Sequence, residues 1–206
     1  MSEFGYIPES PEQSFGNNKG IFTPSDIYDL TRAGNFTQYG QLELIETQTT
    51  SDGISAINFT SLSDYNVHFL VWSNITATSG ENNTSYRLSN NGGSSYISSG
   101  YAFADAFLRP SSPLEQQNNS STLGFFANNI FDNVSANGYA YFYNLLNPIR
   151  YSFATYHGIV NSNTTCSQFG SSVLPTAETH NALQILPNTG TWTAGATLSL
   201  YGIKGY

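Results

Sequence analysis

The sequence predicts an all-β protein, a jelly-roll-like antiparallel β-sandwich preceded by an extended N-terminal arm that carries one short helix. Short apolar or alternating runs recur roughly every ten to fifteen residues from position 41 onward, with Gly, Asn and Ser between them. No long helical pattern separates these runs. The first forty residues, in contrast, show almost no periodicity. We therefore expect an arm over residues 1–40 and one β-sandwich domain over residues 41–206.

The arm is rich in aromatic residues although it lacks a regular pattern. Ordinary disordered tails contain few aromatic residues, because exposed apolar rings are unfavourable in water. We therefore expect the rings of the arm to be buried, either against the body of their own chain or against a neighbouring subunit, and assembly is the first hypothesis. The rings concerned are Phe4, Tyr6, Phe15, Phe22, Tyr28, Phe36 and Tyr39.

One short helix is predicted within the arm. Thr23 is a good N-cap, Pro24 suits the first helical position, and Asp26 stands where an acidic side chain interacts with the free N–H groups of the first turn. Gly34 is the expected end of the helix.

The strands of the domain follow in order from their apolar patterns. The clearest is 65–71, where apolar and polar residues alternate. A hairpin is expected over 86–97, because the Asn-Gly pair at 91–92 favours a tight turn. Residues 110–122 and 187–195 are expected to be loops. The remaining predicted strands are 41–44, 54–60, 101–107, 123–130, 139–145, 150–156, 183–185 and 196–203.

Composition excludes several classes of partner. Only 10% of the residues are charged and the net charge is −8. Six scattered Lys and Arg residues cannot form the basic stripe that binds phosphates, so we expect neither nucleic acid nor an anionic membrane surface as a partner. No stretch reaches the ~20 apolar residues of a membrane helix.

The residues that usually carry chemistry are isolated. Cys166 is the single cysteine and has no basic neighbour, and the three histidines, His68, His157 and His180, lack metal-ligand spacing. No nucleophile elbow, phosphate loop or dinucleotide fingerprint is present. We therefore expect no cofactor, no metal and no enzymatic activity. A pair of carboxylates among the 14 acidic residues is the remaining route to an enzyme, a polysaccharide depolymerase.

Two groups of aromatic residues in the domain are candidate contacts with a ligand or a subunit. Tyr139, Tyr141 and Tyr143 alternate along one strand and therefore share one face. They either meet a second subunit or are simply good strand formers. Trp192 lies among Thr and Gly, where it either stacks on a sugar or packs in the core; for Trp72, on a strand, the core is the expected place.

Four short segments resemble virion structural proteins of marine tailed phages, cyanophages in particular. They are residues 6–11 (YIPESP), 13–30 (QSFGNNKGIFTPSDIYDL), 87–96 (RLSNNGGSSY) and the ending 198–204 (LSLYGIK). The resemblance implies a small β-rich decoration or fibre protein with an N-terminal docking arm, made in the host cytoplasm and displayed on the outer surface of the virion as a homotrimer. It implies no catalytic residues.

The resemblance also assigns the docking role. The residues that match the recurring arm segment are Phe15, Gly16, Ile21, Phe22, Pro24, Ile27, Tyr28 and Leu30. The partners would be other virion proteins of the capsid, neck or tail. Two alternatives remain open within this class: a capsid decoration protein that needs no ligand pocket, and a tail or neck fibre that binds a host glycan or an outer-membrane protein.

Overall fold

The computed structural model describes residues 13–14, 17–18, 23–33, 42–78, 82–108, 114–130, 134–161 and 165–203. The chain divides into two compact units, Met1–Tyr39 and Gly40–Tyr206. The first unit covers nearly the same residues as the predicted arm, and the second covers the predicted β domain.

The helix of the first unit forms as its sequence predicts. Two short antiparallel strands, β1 (Gln13–Ser14) and β2 (Asn17–Asn18), precede α1 (Pro24–Arg32). The Thr23 hydroxyl accepts a hydrogen bond from the backbone N–H of Asp26, and the Asp26 carboxylate accepts one from the backbone N–H of Thr23. This reciprocal capping box satisfies two free N–H groups at the start of α1. The Asp26 carboxylate also accepts a hydrogen bond from the Thr23 hydroxyl at 2.6 Å, and this bond, together with the one from the Thr23 backbone N–H, lowers the pKa of Asp26.

The second unit is built from antiparallel strands in two sheets, which confirms the predicted all-β class and the sandwich-like arrangement; the jelly-roll connectivity stays a prediction. The eight-stranded sheet has the order β3-β14-β5-β10-β11-β12-β7-β8, and the four-stranded sheet has the order β4-β13-β6-β9. The strands are β3 (Leu42–Thr49), β4 (Ile57–Phe59), β5 (Val67–Ile75), β6 (Asn82–Ser89), β7 (Tyr101–Leu108), β8 (Leu114–Ser121), β9 (Gly124–Ile130), β10 (Ala136–Tyr143), β11 (Ser152–Asn161), β12 (Thr165–Leu174), β13 (Ala182–Pro187) and β14 (Thr197–Ile203).

Aromatic rings fill the space between the two sheets. Phe126 on β9 packs against Trp72 and Phe142 of the larger sheet, with ring centroids 5.4 Å away in both cases. Tyr86 on β6 lies between Phe126 and Phe142 and donates to or accepts from the Ser172 hydroxyl at 2.7 Å. All four rings are essentially inaccessible to solvent. Each contributes on the order of 1.5–3 kcal/mol of hydrophobic stabilisation.

Two local predictions differ from the structure, and one strand was not predicted. Residues 114–121, predicted as part of a loop, form strand β8 at the edge of the larger sheet. The turn at Gly92 and Gly93 forms with φ angles of +70° and +85°, but 94–97 is not a strand. Instead β6 pairs with β13 and β9. Strand β12 has no counterpart among the predicted strands.

Candidate interaction surface

The two faces of the eight-stranded sheet have different environments. Along β5, His68, Leu70 and Trp72 are buried against the smaller sheet, whereas Phe69 and Val71 between them are only half-buried. The same alternation runs along β10, β11 and β12. Since successive side chains of a strand point to opposite faces, one face of the large sheet is the core and the other is open. We call the open side the outer face.

An aromatic row crosses the outer face over five neighbouring strands. Phe69 stacks on Tyr141 with ring centroids 4.6 Å apart, and its other neighbours are Tyr201 at 6.3 Å and Tyr139 at 5.9 Å. The strand registers explain these contacts, because Tyr201, Phe69 and Tyr141 are direct cross-strand partners. The row continues from Tyr139 to the remaining rings, His157 and Phe169.

The outer face has almost no charge. The six adjacent strands β14, β5, β10, β11, β12 and β7 contain one residue among Asp, Glu, Lys and Arg, which is Asp105 on β7. Asp105 points into the core, where its carboxylate accepts a hydrogen bond from the Tyr156 hydroxyl at 3.1 Å. Burial raises the pKa of Asp105. No charged side chain of these six strands therefore reaches the outer face.

Large apolar side chains are concentrated on the same face. Among the described residues, eleven large hydrophobic side chains are exposed, and the strand registers place seven of them on the outer face. Monomeric surfaces rarely carry a contiguous apolar patch of this breadth unless it has a binding role. The seven are Leu42, Leu44, Leu108, Tyr139, Phe153, Ile159 and Phe169.

A groove of about 570 Å³ opens at one end of the aromatic row. Its floor is formed by the small side chains Ala104 and Ala106 of β7, and Phe169 stands on one side. On the other side β8 contributes Glu115 and Gln117, which pair with Ala106 and Ala104. The groove thus combines an aromatic ring with an amide and a carboxylate, which are the group types that commonly bind a polar ligand.

The predicted contact residues of the β domain lie in two different environments. Tyr139, Tyr141 and Tyr143 do share the outer face, where Tyr139 is exposed and the other two are half-buried. Trp192 is 1% exposed, and its backbone N–H donates to the carbonyl of Ile54 at 2.8 Å. A buried indole cannot stack on a sugar, so the core alternative is the one that the structure supports for Trp192. Trp72 is likewise buried.

The predicted docking residues are only partly within the described chain. Pro24, Ile27, Tyr28 and Leu30 lie on α1, which buries none of its residues. Tyr28 is 66% exposed and Ile27 is exposed beside it. The other four docking residues, namely Phe15, Gly16, Ile21 and Phe22, lie outside the described residues.

Sequence reasoning missed most of the outer face. Phe69, Tyr201, Phe153, Ile159 and Phe169 were not among the predicted contacts. Their strands do show alternation, but apolar residues occupy both sides of the pleat. Phe169 lies between Gln168 and Gly170, and its strand β12 contains three Ser residues, which weakens the strand signal further.

No family model, no curated protein and no solved structure matches this chain. Within the described residues, no group of three or more His, Cys, Asp or Glu side chains has the arrangement of a metal site. The described helix is too short and too polar to cross a membrane.

Proposed function

We propose that this protein is a non-enzymatic structural component of a phage particle, displayed on the outside of the virion as a decoration or fibre protein and anchored by its N-terminal arm. The observation that carries the proposal is the outer face, a broad apolar surface whose six adjacent strands from β14 to β7 expose no Asp, Glu, Lys or Arg side chain, on a chain whose net charge is −8. Such a surface is typical of proteins that contact other proteins in an assembly.

The helix of the first unit supports the anchoring part of the proposal. Its capping box gives α1 a defined start, and its exposed side chains include Ile27 and Tyr28. Tyrosine supplies a large contact area and retains a hydroxyl that tolerates water at the rim of an interface. A short helix with an exposed apolar pair is suited to insert into a groove on a partner.

Labelled electron microscopy of intact virions tests the location. A tag at the C-terminus of the full chain is expected to appear at regular sites on the outside of the capsid, neck or tail. The variant Ile27→Asp with Tyr28→Asp is expected to reduce incorporation at least tenfold, whereas Asp29→Asn on the same helix leaves incorporation unchanged. Full incorporation of the double variant would show that the helix is not the anchor, and absence of the tag from purified virions would refute the virion role.

The groove favours a second candidate function, a fibre adhesin that binds a host glycan. Aromatic rings stack on the apolar faces of sugar rings, and Gln117 and Glu115 offer hydrogen bonds to hydroxyl groups. A depolymerase is a weaker candidate, because Asp105 directs its carboxylate to Tyr156 in the core and leaves Glu115 as the exposed carboxylate among the groove residues.

A glycan array and a reducing-end assay separate these candidates. The adhesin predicts binding of an envelope polysaccharide that Phe169→Ala weakens at least tenfold and that Leu108→Ala, also exposed on the outer face, leaves unchanged. New reducing ends in the polysaccharide would favour a depolymerase. An array with no bound glycan would leave the decoration protein as the better proposal.

A further inference from the structure

We infer that the outer face of the eight-stranded sheet is the surface on which a second copy of this chain is seated. The inference names a partner for the proposed structural protein, but it is tested on the purified chain and does not depend on where a virion carries it. Three observations support a second copy as the occupant: the charge of the face, its area and its side-chain composition.

The scarcity of charged side chains makes the outer face a favourable interface between two identical chains. Two chains that each carry a net charge of −8 repel one another wherever their carboxylates approach. On the outer face, six adjacent strands contribute no Asp or Glu side chain, since Asp105 is buried in the core. Glu115 lies beyond them on β8, the strand at the edge of the sheet. Two copies can therefore bring these strands together without placing carboxylates opposite each other.

The area of the face matches what a stable pair of chains requires. Neighbouring strands lie about 4.8 Å apart and strands of this length span about 25 Å, so six strands cover on the order of 700 Å². A standard protein interface buries about 800 Å² on each partner. The area of these six strands is thus close to that which a standard interface buries on one partner.

The aromatic and apolar side chains of the outer face lie where the centre of an interface would be. The stacked pair of Phe69 and Tyr141 lies on β5 and β10, in the middle of the sheet order. On the neighbouring strand β11, exposed Phe153 pairs with Tyr143, two residues from Tyr141, and exposed Ile159 pairs with Asn137 farther along the strand. Buried interface centres are enriched in Tyr and Phe and depleted in charge, as this face is.

The scarcity of charge on the six strands also predicts how the association responds to salt. An interface held by ion pairs weakens as the salt concentration rises, because salt screens exposed charges. An apolar interface between two negatively charged chains does the opposite, since salt screens the repulsion of the chains and leaves the apolar contact intact. The association is therefore expected to tighten between 0.05 and 0.5 M NaCl.

Light scattering on the full-length chain tests the inference. The wild-type protein at 1–100 µM is expected to have a mass of two or more times the 22.5 kDa of one chain. Ser171→Glu places a carboxylate in the outer face at an exposed polar position, where folding should tolerate it. Ile159→Glu places a carboxylate at an exposed position of the neighbouring strand β11. Each is expected to raise the dissociation constant at least tenfold.

The matched control is Ile149→Glu. Ile149 is 80% exposed and lies in the connection between β10 and β11, so the same change of charge falls outside the strands of the face. It is expected to leave the mass unchanged, which excludes a general effect of added negative charge. Thermal melting confirms that all three variants are folded, and hydrogen exchange on the wild-type protein provides an independent measure, since β10 and β11 amides should be protected more at high than at low protein concentration.

Three outcomes would overturn the inference. A wild-type chain that is monomeric at 100 µM in 0.5 M NaCl has no second copy on the face, and a glycan bound by such a monomer would identify a different occupant. An oligomer that survives both substitutions has its interface elsewhere. An oligomer that Ile149→Glu disrupts as strongly as Ser171→Glu does not depend on the outer face. None of these results concerns the location of the protein on a virion, which electron microscopy tests separately.

Discussion

Phe69 and Tyr141 stack on the open side of the large sheet with their ring centroids 4.6 Å apart and their planes inclined by 30°. They are direct cross-strand partners on β5 and β10. Both rings are only half-buried in the isolated chain. This pair therefore stabilises the pairing of β5 and β10 by cross-strand packing. It also lies in the middle of the proposed interface.

The pairing of these rings predicts a measurable coupling. Phe69→Ala and Tyr141→Ala should each lower the free energy of unfolding, and the double variant should lose less than the sum of the two by about 0.5–1.5 kcal/mol. Urea denaturation of the three variants and the wild type at one fixed chain concentration measures this, because association also shifts apparent stability. Strict additivity would show that the stacking contributes nothing beyond separate burial.

Gly138 on β10 is expected to be intolerant of even one added carbon. A Cβ at this position would lie 2.5 Å from Cζ2 of buried Trp72 and 2.5 Å from the carbonyl oxygen of His157. Gly138→Ala should therefore destabilise the fold by about 1–3 kcal/mol, as overpacking of a core does. Ser171→Ala, an equally small change at an exposed position, is the control and should shift stability by less than about 0.5 kcal/mol. A wild-type-like denaturation curve for Gly138→Ala would contradict the packing described here.

Two buried histidines predict a loss of stability in mild acid. Burial lowers the pKa of His68 and of His180 below the ordinary value of 6.5. The unfolded chain therefore binds protons more readily than the folded chain, so stability is complete above pH 6.5 and falls as the pH drops toward the folded-state pKa values. Denaturation at pH 7.5 and at pH 5.5 should show the decrease.

The substitution His68→Gln is expected to reduce the slope of stability against pH in this window. His68 Nε2 lies 3.1 Å from the Ser63 carbonyl, a contact that a glutamine amide can also make. Equal slopes for wild type and His68→Gln would mean that His68 does not determine the acid sensitivity.

The contribution of Asp105 to stability depends on pH in the opposite direction to that of the two histidines. Burial raises its pKa, so the folded chain holds this proton more tightly than the unfolded chain. The favourable contribution exists below the unfolded-state pKa near 3.8 and is lost as the pH rises through the folded-state pKa. At pH 7 the buried carboxylate is a cost, and Asp105→Asn should raise the free energy of unfolding by about 1 kcal/mol while retaining an acceptor for Tyr156.

Glu115→Gln provides the control for Asp105→Asn. It removes the same charge at an exposed position on β8 and should leave stability within about 0.5 kcal/mol of the wild type. A loss of stability in Asp105→Asn at pH 7 would show that the ionised carboxylate is held by stronger hydrogen bonds than its raised pKa implies.

Local features of the chain could be predicted because neighbouring residues determine them. The capping box of α1 involves Thr23 and Asp26, three residues apart, and the turn at Gly92 and Gly93 needs only residues that adopt positive φ. The alternation in β5 is likewise contained in one short segment. For these elements the energetic preference lies within a few consecutive residues.

The strand β8 and the pairing of β6 could not be predicted in this way. β8 is almost entirely polar, and it becomes a strand by pairing with β7 at the edge of the sheet. The hairpin expected after β6 is replaced by pairing with β13, nearly a hundred residues along the chain. Pairing between distant strands depends on the packing of the whole sandwich, and turn chemistry alone does not specify it.

From its sequence alone, the chain determines an all-β class, the capped helix at Pro24–Arg32, the scarcity of charge, and the shared face of Tyr139, Tyr141 and Tyr143. Only the tertiary structure decided that this face is open, that Trp192 is buried, and that one charge-free surface spans six strands. Alternation assigns side chains to two faces of a strand but does not say which face meets the second sheet, because both faces of β10 carry aromatic rings and burial of either lowers the free energy.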